Sequence, residues 1–179
     1  MKLKFKNQEF QTDAVNAVIN VFDGQKNARA TFSIDSNEEQ QKIFHTEYGV
    51  RNILQIDNDT LISNMHKVQR ENKLSISRDF DTRQYSVEME TGTGKTYVYI
   101  KTILELNAQY NFTKFIIVVP SVAIREGVYK SFQVTEEHFR NLYDSVPYRY
   151  FIYNSSRPND IKRFVKSENI EIMIINIDA

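Results

Sequence analysis

Met89-Glu90-Thr91-Gly92-Thr93-Gly94-Lys95-Thr96 is a glycine-rich turn set between two segments of different character. Before it, Tyr85-Ser86-Val87-Glu88-Met89 has the composition of a short strand, and after it Tyr97 to Leu106 reads as a helix. A strand, a glycine turn and a helix start in that order make an anion cradle. Gly92 and Gly94 let the backbone curl with its N–H groups inward, Lys95 reaches the β- and γ-phosphates of a nucleotide, and the Thr96 hydroxyl ligates magnesium. Thr91, Gly92, Thr93, Gly94, Lys95 and Thr96 are therefore candidate nucleotide-binding residues, with Lys95 and Thr96 as the candidate catalytic pair and Thr96 as the metal ligand. The pattern GxxxxGK[ST] usually begins with a small residue. Here that place holds Met89, whose flexible side chain must tuck under the loop. The competing reading is a glycine-rich turn that carries an exposed lysine.

Downstream of the loop, Phe115-Ile116-Ile117-Val118-Val119-Pro120 is a β-branched run ended by proline, which predicts a strand buried on both faces. Ser121 predicts a cap for a helix carrying Ile124, Val128 and Phe132, and Thr135 a cap for a second helix carrying Phe139, Leu142 and Tyr143. Tyr148 to Tyr153 reads as a strand, Asn154 to Asn159 as a loop, Asp160 to Lys166 as a short helix and Ile170 to Ile175 as another buried strand. Strands alternating with helices predict an α/β fold with a parallel sheet flanked by helices.

Upstream, Phe10, Ala14, Val15, Ala17, Val18, Val21 and Phe22 line one face of a helix that Asp23-Gly24 stops. Residues Gln25 to Gln55 lose that periodicity and read as an irregular insertion. Leu61, Ile62, Met65 and Val68 then mark an amphipathic helix behind a polar start at Asp59-Thr60. The expected organisation is an N-terminal segment over 1–84, with a helical extension and insertion, followed by a core over 85–179.

The 179 residues suit one domain or slightly more, and the 23 basic and 23 acidic residues cancel. Net charge therefore offers no argument for nucleic acid, and any such site must be local. With no cysteine there is neither a disulfide framework nor a thiolate metal site. The histidines, His45, His66 and His138, are too scattered to suggest a metal cluster. The basic start MKLKFKNQEF lacks the apolar run of a signal peptide, and no stretch is long enough to span a bilayer, so a soluble cytoplasmic protein without a membrane partner is expected.

Gln11, in the pattern FQxxAV, is a candidate for reading an adenine edge, because an amide both donates and accepts. Gln8 is its rival, and Phe5 is a candidate to stack on the base. Pro120, Ser121 and Arg125 stand where a strand hands over to a helix, and the free amides, hydroxyl and guanidinium there suit a nucleic-acid phosphate. Gly127, inside that helix, costs about 1 kcal/mol relative to alanine, which suggests close packing or backbone approach. Asp178, after the last strand, is a weaker candidate for a metal-binding acid, since Asn176 interrupts the apolar run and no second acid follows.

FQxxAV, METGTGKT and VVPSVAIREG, in that order, resemble the adenine-recognition glutamine, motif I and motif Ia of superfamily 2 helicases and translocases. The wording VEMETGTGKTYVYI, KFIIVVPSVAIREGV and IMIINIDA resembles the restriction (Res) subunit of type III restriction-modification enzymes, over nearly all of the chain. The resemblance implies the first part of a RecA-like motor domain that uses ATP and Mg2+ on double-stranded DNA. It also implies a modification subunit as partner and a parent enzyme that is an ATP-dependent site-specific deoxyribonuclease. Gln11 would contact adenine, Thr91 to Thr96 the phosphates and magnesium, and Pro120, Ser121 and Arg125 the DNA backbone. The sequence departs from that pattern in the long separation of Gln11 from Lys95, and in ending before an acidic motif II. An N-terminal fragment that hydrolyses ATP poorly by itself is the expectation. Another superfamily 2 helicase, or a non-hydrolysing nucleotide-binding interaction module, are the alternatives.

Overall fold

A computed structural model describes residues 5, 6, 8–28, 30–34, 47–78 and 84–177. Its centre is a three-stranded parallel sheet of β3 (Lys114–Val119), β4 (Tyr148–Ile152) and β5 (Ile170–Asn176), with β5 in the middle. The register pairs Ile117 with Ile174 on one side and Tyr150 with Ile172 on the other. β5 takes the middle because its residues are almost continuously apolar, which is the composition a doubly flanked strand needs. Ile170, Ile172 and Ile174 are buried to 1% exposure or less.

Helix α3 (Lys95–Tyr110) and helix α4 (Val122–Leu142) cover one face of this sheet. Ile100, Ile103 and Leu104 from α3 meet Val128, Phe132 and Phe139 from α4 over the three β5 isoleucines. Each such fully buried side chain contributes about 1.5–3 kcal/mol. On the other face, α5 (Pro158–Lys166) sets Phe164 edge-on to Phe151 at 6.1 Å. Beneath it, Glu171 is buried in β5, with Arg149 Nε donating to its Oε2 at 2.7 Å and Arg149 Nη1 donating to Asp160 Oδ1 at 2.9 Å. Lys114, on β3, pairs in register with Glu171 and donates from Nζ to the Ser167 carbonyl. Burial holds the Lys114 ammonium below its ordinary pKa, and the Glu171 charge opposes that shift.

Helix α1 (Glu9–Val21) packs Val15 and Ile19 against Val98 of α3 and against Tyr110 and Phe112. Its far end meets α2 (Asn58–Glu71) through Val21, Leu61 and Val68. The α2 cap is Asp57, which accepts from the Thr60 amide at 2.8 Å, rather than the expected Asp59-Thr60. Asp57 stands one residue before the helical turn, so its carboxylate can reach back to the third amide. Gln25 ties the segments together, its Oε1 accepting from Gln55 N at 2.9 Å and its Nε2 donating to Ile53 O at 3.0 Å.

Five further sequence expectations are corrected. Residues 84–90 form no strand, because no strand among the described residues takes up their backbone groups, and Tyr85 and Val87 are exposed. The segment Gln25 to Gln55 is not wholly irregular: β1 (Ala30–Ile34) and β2 (Glu47–Arg51) pair antiparallel within it, while 35–46 lie outside the described residues. β3 is buried on one face only, with Ile116 at 55% and Val118 at 62% exposure. Thr135 starts no second helix, since its hydroxyl donates back to Ser131 O at 2.8 Å and α4 runs through it. Gly127 faces open space instead of a close neighbour.

Candidate functional site

Only three residues separate the end of α3 at Tyr110 from the start of β3 at Lys114, so α3 runs antiparallel to the strands it covers. Its first turn therefore stands at the edge of the sheet where β3 and β5 end. α4 begins at the same edge, directly after β3. In open α/β sheets this carboxyl edge is where ligands bind.

The glycine loop lies on that edge. Gly92 and Gly94 have φ of 82° and 85°, the left-handed region that glycine enters freely. Gly94 caps α3 without a side chain, whereas α2 and α4 have Asp57 and Ser121 each bonded to the third amide of the helix. The α3 start thus keeps its amide dipoles directed at the loop, an arrangement that attracts an anion. Lys95 is folded back, its Nζ donating to the Glu90 carbonyl at 2.7 Å, and the Thr93 hydroxyl donates to the same oxygen at 2.6 Å. Thr91 is exposed and Thr96 half-buried in the first helical turn. Met89 tucks beneath the loop against the α1–α3 cluster, as its flexible side chain allows.

Gln11 joins this loop despite the long intervening sequence. Its Nε2 donates to the Thr93 carbonyl at 2.8 Å and would lie 2.7 Å from a Cβ placed on Gly94. Gln8, the rival, is exposed at the cap position of α1. Phe5 packs at 4.7 Å between ring centroids against His138 and at 6.0 Å against Tyr97. The Tyr97 hydroxyl and His138 Nε2 share a hydrogen bond of 2.9 Å. Burial, reinforced by the Lys101 charge, pushes the His138 pKa down, and burial pushes the Tyr97 hydroxyl up. These rings form an aromatic shelf two residues along α3 from Lys95.

At the other helix start, Ser121 Oγ accepts from the Ile124 amide at 3.4 Å, and Pro120 is exposed. Arg125 is turned inward. Its Nη1 donates to Asn176 Oδ1 at 2.9 Å and its Nη2 to Glu126 Oε1 at 3.0 Å, while Nε is buried without a partner. Arg125 also lines a cleft of about 350 Å³ with Ile152, Tyr153, Asn154, Ser155 and Arg157. Sequence reasoning missed Asn176 and Arg157. The available signal was position, since Asn176 closes β5 and Arg157 stands in the connection from β4 to α5. Asp178 lies outside the described residues. Among the described residues, no group of three or more His, Cys, Asp or Glu could hold a metal ion, and no helix is long and apolar enough to cross a membrane.

Comparison with known proteins adds the decisive observation. The family described as type III restriction enzyme, res subunit, matches residues 4–179. The chain belongs to this Res subunit family. Among its relatives, the type III restriction-modification enzyme EcoPI Res subunit of Escherichia phage P1 is 32% identical over 96% of the chain. The EcoP15I Res subunit of Escherichia coli is likewise 32% identical over 96% of it. The StyLTI Res subunit of Salmonella typhimurium is 41% identical over 41% of the chain, which is 8% of that protein. This Res-family chain spans 18% of the length of the EcoPI and EcoP15I subunits.

Proposed function

We propose that this Res-family chain is the nucleotide-binding part of an ATP-driven motor acting on double-stranded DNA, built on a RecA-like core over residues 85–179 with residues 1–84 as an N-terminal extension. The observation that carries the reading is the Gln11 side chain bonded to the Thr93 carbonyl, beside a glycine loop whose helix has no side-chain cap. The amide holds the loop with one end and keeps its oxygen for an adenine amino group. The aromatic shelf of Phe5, Tyr97 and His138 offers the base a stacking surface.

The residues present fit ATP and Mg2+. Gly94, at a φ of 85°, carries no side chain, so the backbone can approach a phosphate closely, and Lys95 needs only to swing from the Glu90 carbonyl to reach it. The Thr96 hydroxyl would hold magnesium. When bound, the metal neutralises charge on the phosphates. Pro120 and Ser121 would meet the DNA backbone at the neighbouring helix start, where Arg125 would join them on leaving Asn176. In the parent enzyme the partner is the modification subunit of the same system, and the outcome of hydrolysis is DNA movement leading to cleavage.

Titration with a fluorescent ATP analogue and Mg2+ tests the nucleotide site. The chain is expected to bind it and Lys95→Ala to lose at least tenfold in affinity. Equal affinity in the two proteins would overturn the reading and favour an interaction module.

A further inference from the structure

Asn176 is a polar residue at the end of a strand that is otherwise almost wholly apolar, and it is only 7% exposed. An amide buried there costs stability unless it is bonded, and isoleucine or valine would pack as well. Its Oδ1 receives Arg125 Nη1 at 2.9 Å. The link is a bond from a charged donor to a neutral acceptor, and the same guanidinium leaves its buried Nε unpaired. A phosphate oxygen is a stronger acceptor for that cation than an amide oxygen.

Both ends of this link lead to a candidate site. Arg125 lines the cleft that also holds Arg157, Asn154 and Ser155, a set of donors suited to a phosphodiester. Asn176 ends β5, and the next amide, Ile177 N, donates to Val119 O at 3.1 Å, directly before Pro120 and Ser121. Ile172 and Ile174 of the same strand pack on Ile100 and Ile103 of α3, whose first turn bears Lys95 and Thr96.

We propose that Asn176 is a positioning residue that couples the two sites: it holds Arg125 inward until a DNA phosphate in the cleft competes for the guanidinium, and its release is felt along β5 by α3 and the glycine loop. The proposal rests on the reading of the loop as a nucleotide site and of the α4 start as a DNA site. It requires a made and a broken state of one hydrogen bond, each favoured by a different ligand.

The test is a thermodynamic cycle on the full chain. The affinity of a fluorescent, non-hydrolysable ATP analogue with Mg2+ is measured with and without a saturating short DNA duplex, and the duplex affinity with and without the analogue. The two ratios must agree. The unsubstituted chain is expected to show a ratio of about fivefold or more, within the range of ordinary coupling energies. Asn176→Ala removes the competing acceptor, so it should bind the duplex alone more tightly while the ratio falls to near one. Asn176→Asp keeps the acceptor and adds charge, so it should restore the ratio while weakening duplex binding. An unaltered ratio in Asn176→Ala, or no restoration in Asn176→Asp, overturns the proposal. If the unsubstituted chain binds both ligands with no coupling, this inference alone fails; if it binds neither, the functional reading beneath it fails as well.

Discussion

The Gln11 side chain donates to the Thr93 carbonyl at 2.8 Å across 82 residues of sequence. That bond places a residue of the first helix on the glycine loop and leaves the amide oxygen as the group that can face a base. Gln11→Ala should weaken binding of an ATP analogue by about three- to tenfold, the worth of one ordinary hydrogen bond, and should lower any preference for ATP over GTP. Gln11→Glu should do more harm, because a carboxylate would stand against the Thr93 carbonyl. Competitive titration with the two nucleotides checks both.

Gly94 meets two constraints at once. Its φ of 85° disfavours any side chain, and a Cβ would come within 2.7 Å of Gln11 Nε2. Gly94→Ala is expected to abolish nucleotide binding and to cost roughly 1–2 kcal/mol in strain. Adding Gln11→Ala removes the collision and leaves the backbone strain, so the double variant should recover part of the stability in urea melts. Gly92→Ala, which meets no neighbour within 4 Å, should show the strain alone.

The Arg149–Glu171 pair lies at the opposite, amino-terminal end of the strands and predicts a purely structural effect. Glu171 is 1% exposed and Arg149 donates to it at 2.7 Å. Arg149→Ala leaves a buried carboxylate with weaker partners, and such losses cost about 3–5 kcal/mol. Chemical denaturation should register that loss, while nucleotide affinity measured on the folded fraction should stay unchanged.

His138 predicts a pH response. Burial and the Lys101 charge depress its folded pKa below the ordinary value of 6.5, so the folded protein favours the neutral ring. Between the two pKa values the unfolded chain binds more protons, and stability falls as pH drops below 6.5 towards the folded value. Urea midpoints measured from pH 8 to pH 5 should fall more for the natural chain than for His138→Gln, roughly in proportion to that proton uptake. Parallel curves would show that the ring titrates alike in both states.

Much of this architecture was legible in local pattern. The apolar spacing along α1, the Ser121 cap of α4 and the isoleucine run of β5 each follow from a periodicity or a turn rule that acts within a few residues. Misreadings arose where a neighbour decides the outcome. Ile116 and Val118 have the composition of a doubly buried strand, yet nothing covers their face among the described residues. Tyr85 to Met89 has strand-like residues and, among the described residues, no partner strand to complete its backbone bonds. Thr135 was as good a cap as Ser121 by composition, and its bond to Ser131 kept the helix continuous instead.

A glycine loop that opens a helix, and the alternation of strands and helices after it, are readable from the amino-acid sequence alone. Those properties arise from backbone conformation and side-chain chemistry over short distances. That β5 lies between β3 and β4, that Gln11 reaches the loop, and that Arg125 turns inward to Asn176 emerge only from the folded chain. These are contacts between segments far apart in the chain, selected by how the buried faces fit together, and no local pattern encodes which distant partner a polar side chain will meet.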